Sequence, residues 1–515
     1  MTSTASRELE EYEREGGRLP FLLNIAEAKL LGIAGVGFFL DAYDLFIINP
    51  VCTMLQYRLY NGGHLPANME GFVKAGANIG SVIGQFGFGY AADALGRKAV
   101  YGKELMIIII ATIMTITTPT GEISPYNSLV YLGMWRILLG VGVGGDYPMS
   151  ASITSERSNL RKRGTMLAYI FSNQGWGSFV GSLITIIVLE IYKPSINGRG
   201  EVSKLDGVWR IVVGLSLVPS FATLYQRLTL GESKRFKDSQ AQPNMDTEMG
   251  DSKKPPVQGV DVVVKKQAHF KGAFISSLPN QVLTRWHTEF LLYFSEWRHA
   301  KILIGTCVCW FLLDIAFYGI NLNQNIVLMQ MGYAGNEGTA WERIFKISTG
   351  GIIITALGML PGYYATVLTI EILGRKWIQI QGFLLAALFL GILAGKFYTL
   401  GTAPFIVCFA FLQFFFNFGP NATTYCYPAE VFPTRYRAFA HGISAACGKI
   451  GAIISALAFN TLSKRIGTPA ILWIFFGCCI VGAGVTFLLP EVKGRDPDEV
   501  LAQELRESAA AGRGL

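Results

Sequence analysis

The chain has 515 residues, 51% of them apolar and 16% charged, with 58 glycines and a net charge of +8, and its mean hydropathy is +0.37. This is far more apolar sequence than one soluble core can use, so an ordinary soluble enzyme is excluded and the chain reads as an all-α, polytopic membrane protein. The positive charge is then a matter of membrane topology, and nucleic acid is excluded as a partner.

Residues 1–28 are polar and lack the basic and apolar regions of a cleaved leader, so they read as a cytoplasmic N-terminal tail. Windows of about 20 mostly apolar residues follow, the length that carries a helix across a hydrocarbon core of about 30 Å. Six lie near 29–55, 69–92, 99–118, 128–153, 165–191 and 208–229. Six more lie near 300–328, 345–368, 377–398, 403–428, 439–460 and 468–489. The expected organisation is a six-helix bundle over 29–231, a cytoplasmic linker over 232–299, a second six-helix bundle over 300–490 and a cytoplasmic tail over 491–515. The linker contains Gln242-Pro243-Asn244 and Lys253-Lys254-Pro255-Pro256, a composition that favours a mobile tether with an amphipathic piece near Phe270 to Phe294. Regulatory kinases or ubiquitin machinery would find their sites there.

The two halves repeat each other. Asp93-Ala94-Leu95-Gly96-Arg97-Lys98 returns as Glu371-Ile372-Leu373-Gly374-Arg375-Lys376, and Glu156 with Arg163-Gly164 returns as Glu430 with Arg437-Ala438. Parallel repeats of about six spans build one large class of transporters, which hold substrate between the halves near the bilayer midplane. Arg97, Lys98, Arg157, Arg161, Lys162, Arg163, Arg375, Lys376, Arg435 and Arg437 all fall at alternate connections. The positive-inside rule therefore places both termini in the cytoplasm. Gly76, Gly80 and Gly84, Gly140 and Gly144, and Gly177 and Gly181 stand four apart, on faces where helix backbones approach closely.

Ionisable side chains at bilayer depth are costly, so each one is a functional candidate. Asp41 and Asp44 share a face of the first span; Glu104 lies in the third, Arg136 and Asp146 in the fourth, Asp314 in the seventh and Lys449 in the eleventh. Trp310, Asp314 and Tyr318 are spaced by four, which lines a donor, a carboxylate and a phenol along one stripe. Gly144-Gly145-Asp146-Tyr147-Pro148 predicts a kink that presents Asp146 and Tyr147 to a cavity. The register that aligns Glu156 with Glu430 places Tyr147 opposite Asn421 and Gln174 near Lys449. Tyr147, Gln174, Trp310, Tyr318, Asn421 and Lys449 supply donors and Asp314 an acceptor, which suits an oxyanion that still carries a proton.

At these residues the sequence resembles the major facilitator superfamily, and within it the phosphate:proton symporters of fungi and plants. The resemblance rests on Gly144-Gly145-Asp146-Tyr147-Pro148-Met149-Ser150, Asn417-Phe418-Gly419-Pro420-Asn421, Tyr427-Pro428-Ala429-Glu430-Val431-Phe432-Pro433 and His441-Gly442-Ile443-Ser444-Ala445-Ala446. It implies twelve helices in two pseudo-symmetric bundles and proton-driven import of inorganic phosphate, with arsenate as an analogue, across the plasma membrane by alternating access. By position, phosphate contacts would be Tyr147, Gln174, Trp310, Asp314, Tyr318 and Asn421. Proton-linked groups would be Asp41, Asp44, Glu104, Asp146 and Asp314, with Lys449 beside the site. Asp93, Arg97, Glu156, Glu371, Arg375 and Glu430 would close the inner side. The first loop departs from the superfamily at Ala94, where Arg is usual.

Energetics also favour coupling, because bringing a monoanion into a negative interior costs about 2.3 kcal/mol per 100 mV. Two rival readings remain at the level of sequence. Gly231-Glu232-Ser233-Lys234-Arg235 and Pro490-Glu491-Val492-Lys493-Gly494 resemble segments of sugar porters, and the linker or tails would suit a phosphate sensor. No catalytic constellation, cofactor motif or metal-ligand spacing stands out.

Overall fold

The computed structural model describes residues 19–241, 280–324, 328 and 338–510. The linker segment 242–279 and the chain ends lie outside the described residues. Twelve long helical segments, labelled α1 to α12, run antiparallel in sequence. They are α1 (Ile25–Tyr60), α2 (Ala67–Leu95), α3 (Lys103–Ile116), α4 (Pro125–Arg157), α5 (Arg163–Lys193), α6 (Val202–Leu228), α7 (Trp297–Asn321), α8 (Ala340–Leu373), α9 (Arg375–Gly395), α10 (Thr402–Val431), α11 (Arg437–Ile466) and α12 (Thr468–Leu488). Eleven, with α3 extended through the short helix Arg97–Val100 to Arg97–Ile116, are long and apolar enough to cross a bilayer on composition alone. The remaining one, α2, is diluted by its glycines and by Lys74, Asn78 and Gln85 yet is 29 residues long and packed between α4 and α11.

Local chemistry sets the helix starts. Asn24 and Glu27 form a reciprocal capping box at α1, with both hydrogen bonds at 2.8 Å, and Thr339 with Glu342 does the same at α8. Gly96 at φ 94° and Gly374 at φ 83° turn the chain at equivalent points of the two repeats, a conformation that a side chain resists. Several helices are broken where the sequence permits. Ile47 interrupts α1, a π-turn over Thr355–Met359 lies within α8, and Phe418-Gly419 divides α10 into Thr402–Asn417 and Pro420–Val431. In α4 the helix continues through Pro148.

The small-residue faces bring backbones together. A Cβ on Gly80 would lie 1.8 Å from the Ile137 carbonyl oxygen, and one on Gly140 would lie 2.0 Å from that of Ala77, so α2 and α4 pack without side chains between them. The halves meet along α2 with α11, α5 with α8, and α1 with α7. Gly442 lies against the Gln85 carbonyl, Gly175 against Leu360 and Tyr363, and Phe46 against Tyr318. Large apolar side chains such as Ile110, Ile187, Phe221, Trp473 and Phe487 are exposed, as a lipid-facing surface requires. A helix over Asn280–Ser295 turns Trp286 and Phe290 onto Tyr90, Tyr436 and Phe439 beneath α2 and α11. It overlaps the end of the expected amphipathic piece.

Candidate functional site

Six side chains chosen from sequence converge between the halves. Tyr147 of α4, Gln174 of α5, Trp310, Asp314 and Tyr318 of α7, and Asn421 of α10 are each no more than 4% exposed. Lys449 of α11 lies among them. Its Nζ donates to the Tyr318 hydroxyl at 2.5 Å, stands 3.6 Å from Asp314 Oδ2 and lies 5.0 Å from the Tyr147 ring centre. The ammonium thus reaches from the second half to the first. Gln174 Nε2 donates to the Tyr147 hydroxyl at 2.7 Å, and the Tyr147 and Trp310 ring centres are 6.3 Å apart. Gly448 makes room for the indole, because a Cβ there would stand 2.5 Å from Trp310 Cδ1.

The break in α10 places Asn421 in the first turn of the second segment. Its Nδ2 donates to Asn417 Oδ1 at 2.7 Å and to the Tyr363 hydroxyl at 2.9 Å. Below these polar groups, toward the side that carries the basic loops, lies an aromatic layer drawn from both halves. Phe38, Phe171 and Tyr425 meet with ring centres 4.6–5.3 Å apart, and His441 packs edge-on to Trp310 and Tyr425.

The membrane carboxylates form a second group. Asp146 does not face the pocket beside Tyr147 as its sequence position suggested. Arg227 Nη1 donates to Asp146 Oδ1 at 2.8 Å and to Glu104 Oε1 at 3.2 Å, so one guanidinium of α6 holds both carboxylates. Gly37 permits this, since a Cβ there would collide with Asp146 Oδ2 at 1.5 Å. Successive residues on a helix point about 100° apart, which is why Asp146 and Tyr147 serve different clusters. Asp41 is fully buried, and neither of its oxygens has a hydrogen-bond partner among the described residues. Its electrostatic neighbours are Asp146, Lys449, Arg227 and Asp44, which places it between the carboxylate cluster and the pocket. Asp44 lies beside Ser216 and Arg136; Arg136 itself is anchored on the carbonyls of Val73 and Asp44.

On the basic face the repeated loops form matching networks. Arg97 pairs with Asp93 and with Glu156 at 2.9 Å each, and Arg375 pairs with Glu371 at 2.8 Å and Glu430 at 2.7 Å. The first acidic residue of each network then crosses to the other half. Asp93 accepts from the N–H groups of Ala438 and Phe439 at the start of α11, and Glu371 accepts from that of Thr165 at the start of α5. Glu232 and Glu491 cap the chain at Lys98 and at Arg375 with Lys376. The C-terminal helix Pro497–Ala510 straps this face. Asp496 pairs with Arg235, Asp498 accepts two hydrogen bonds from Thr434, and Glu504 reaches His299. On the opposite face Asn49 donates to the Asn321 carbonyl at 2.8 Å, and Lys74, held by Glu70, reaches Asn323 at 3.3 Å. Both entrances are bridged, so the pocket is occluded.

Three participants escaped the sequence patterns. Arg227 reads as the basic end of a span, Tyr363 reads as packing in an apolar segment, and His441 has no polar partner in sequence. The Pro-Gly pair before Tyr363 was the one available signal of an irregular helix.

A bundle of twelve helices with an occluded polar pocket between pseudo-symmetric halves defines a membrane transporter. The sugar (and other) transporter family model matches residues 30–502, and the chain belongs to that family. A Schizosaccharomyces pombe protein with inorganic phosphate transporter in its name is 46% identical over 508 residues, covering 93% of this chain and 88% of that one. The inorganic phosphate transporter PHO84 of Saccharomyces cerevisiae is 37% identical, covering 92% of this chain and 84% of its own. Among solved structures the major facilitator superfamily proton:xylose symporter XylE aligns with a TM-score of 0.68 at 19% identity, covering 93% of this chain and 98% of that one. That likeness concerns the fold.

Proposed function

We propose that the protein is a proton-coupled symporter that imports inorganic phosphate, and that the Lys449, Asp314 and Tyr318 constellation between the halves is the heart of its binding site. The carrying observation is the ammonium of Lys449, fully buried and shared between Asp314 and Tyr318. A cation beside a carboxylate accepts a tetrahedral monoanion that both receives and donates hydrogen bonds. Tyr147, Gln174 and Trp310 supply further donors, Asn421 braces the site through its N–H bonds to Tyr363 and Asn417, and Asp314 receives a phosphate O–H. The relatives named as phosphate transporters support the same reading. A neutral sugar would leave the ion pair without a function in recognition.

Charge balance supplies the coupling. Lys449 and Asp314 offset each other, so a monoanion adds one negative charge to a buried pocket, at a cost of several kcal/mol. A proton carried on Asp41 or Asp314 restores neutrality, and occlusion then favours phosphate and proton together. Asp146 and Glu104 act on the route through Arg227: protonating either weakens its hold on the guanidinium, and Asp44 extends the line of carboxylates. The basic loops put both termini in the cytoplasm, and the plasma membrane is the compartment where such import is useful. Arg97 with Asp93 and Glu156, and Arg375 with Glu371 and Glu430, close the cytoplasmic side. The linker over 232–299 is where regulatory kinases or ubiquitin machinery would act. Competition binding on purified protein tests the site: phosphate and arsenate should displace labelled phosphate while sulfate and xylose do not. Equal displacement by xylose would overturn the reading.

A further inference from the structure

Tyr363 joins hydrogen bonds from both halves beside the pocket. Its hydroxyl donates to Gln174 Oε1 at 3.3 Å and accepts from Asn421 Nδ2 at 2.9 Å. Gln174 in turn donates to Tyr147. A continuous chain therefore runs from α4 and α5 of the first half, through α8, to α10 of the second. The ring is held in place for this. Phe171 lies edge-on to it at 5.9 Å, and Gly175 leaves the space it fills, since a Cβ there would come within 3.1 Å of Tyr363 Cδ2.

A primary amide presents two N–H donors on one side and an acceptor on the other. For an anion the two orientations have opposite consequences: one offers donors, the other turns a carbonyl oxygen toward negative charge. Donation from Tyr363 to Gln174 Oε1 fixes which side of Gln174 faces Tyr147 and the pocket. The same hydroxyl holds one N–H of Asn421, whose other N–H is occupied by Asn417.

We propose that Tyr363 is a positioning residue for anion binding, which orients the Gln174 amide and thereby ties filling of the pocket to closure of the two halves. The inference rests on the reading of the pocket as a phosphate site. Tyr363 acts through the Gln174 amide, so its contribution should vanish when Gln174 cannot respond.

The test is transport and equilibrium phosphate binding by full-length Tyr363→Phe, Gln174→Met and the double variant. Losing one oriented hydrogen bond corresponds to roughly tenfold in affinity. Tyr363→Phe should raise the KM for phosphate about tenfold with Vmax changed less than twofold, and should add less than twofold in the Gln174→Met background. A merely structural defect would lower Vmax at unchanged KM by reducing the amount of folded protein. An unaltered KM, or the same tenfold loss in both backgrounds, would overturn the positioning role. Failure of the unmodified protein to bind phosphate would instead overturn the reading of the site on which the proposal stands.

Discussion

In the proposed site, the Lys449–Asp314 ion pair is the group on which selectivity would turn. Dihydrogen phosphate would donate a hydrogen bond to Asp314, whereas sulfate at neutral pH has no O–H to offer and would face the carboxylate as a bare anion. A mismatch of this kind typically costs a few kcal/mol, or roughly a hundredfold. Asp314→Asn is therefore expected to relax discrimination against sulfate in equilibrium competition while reducing transport; unchanged sulfate rejection would remove Asp314 from recognition. At Asp41, both oxygens of a buried carboxylate lack hydrogen-bond partners among the described residues, so Asp41→Asn should abolish gradient-driven accumulation with phosphate binding changed less than about threefold. Full accumulation by that variant would place the proton elsewhere. These residues were legible in sequence because each is a polar group stranded in an apolar span. Tyr363 and Arg227 were not, since a tyrosine in a span reads as packing and an arginine at its end reads as topology.

The helices position these groups through what they lack. Gly448 stands where any larger residue would displace Trp310, while Gly382 lies against the Gly419 backbone and lets α9 close on the break in α10. Gly448→Ala should push the indole aside and weaken phosphate binding about tenfold, with the helical content by circular dichroism retained. Full affinity in that variant would mean Trp310 makes no contact with substrate. The break in α10 was visible in Phe418-Gly419-Pro420, where a helix cannot continue undisturbed. The break at Ile47 in α1 has a similar mark, since Pro50 has no N–H for the Phe46 carbonyl. Asp146 was misdirected for a different reason: its partner Arg227 is far away in sequence, and only folding of α6 onto the first half brings them together.

Across the whole molecule, repetition in sequence became repetition in geometry. Asp93 and Glu371 occupy equivalent turns and each caps a helix of the opposite half. Removing one partner of such a buried ion pair costs about 3–5 kcal/mol, enough to shift a two-state equilibrium decisively. Arg375→Gln should open the cytoplasmic side. With Cys426 as the sole cysteine, labelling by an impermeant thiol reagent should then rise at least tenfold from that side; unchanged labelling would deny the network a gating role.

The C-terminal strap adds a pH dependence. Burial alone would raise the Asp498 carboxyl, but Arg437 and the hydrogen bonds from Thr434 outweigh it and hold the group below its ordinary 3.8. A depressed value means that docking is fully supported above the undocked value and is lost as pH falls through the docked one. Amide-exchange protection factors over 497–510 should therefore stay constant from pH 7 to about 5 and fall only below about 4. Loosening near pH 6 would contradict this assignment.

The central claim, phosphate and proton carried together through one pocket, is tested by uptake of labelled phosphate into proteoliposomes with an imposed pH gradient. Acid outside should drive accumulation well above equilibrium, and an uncoupler should collapse it. Equal uptake with and without the gradient would contradict the account.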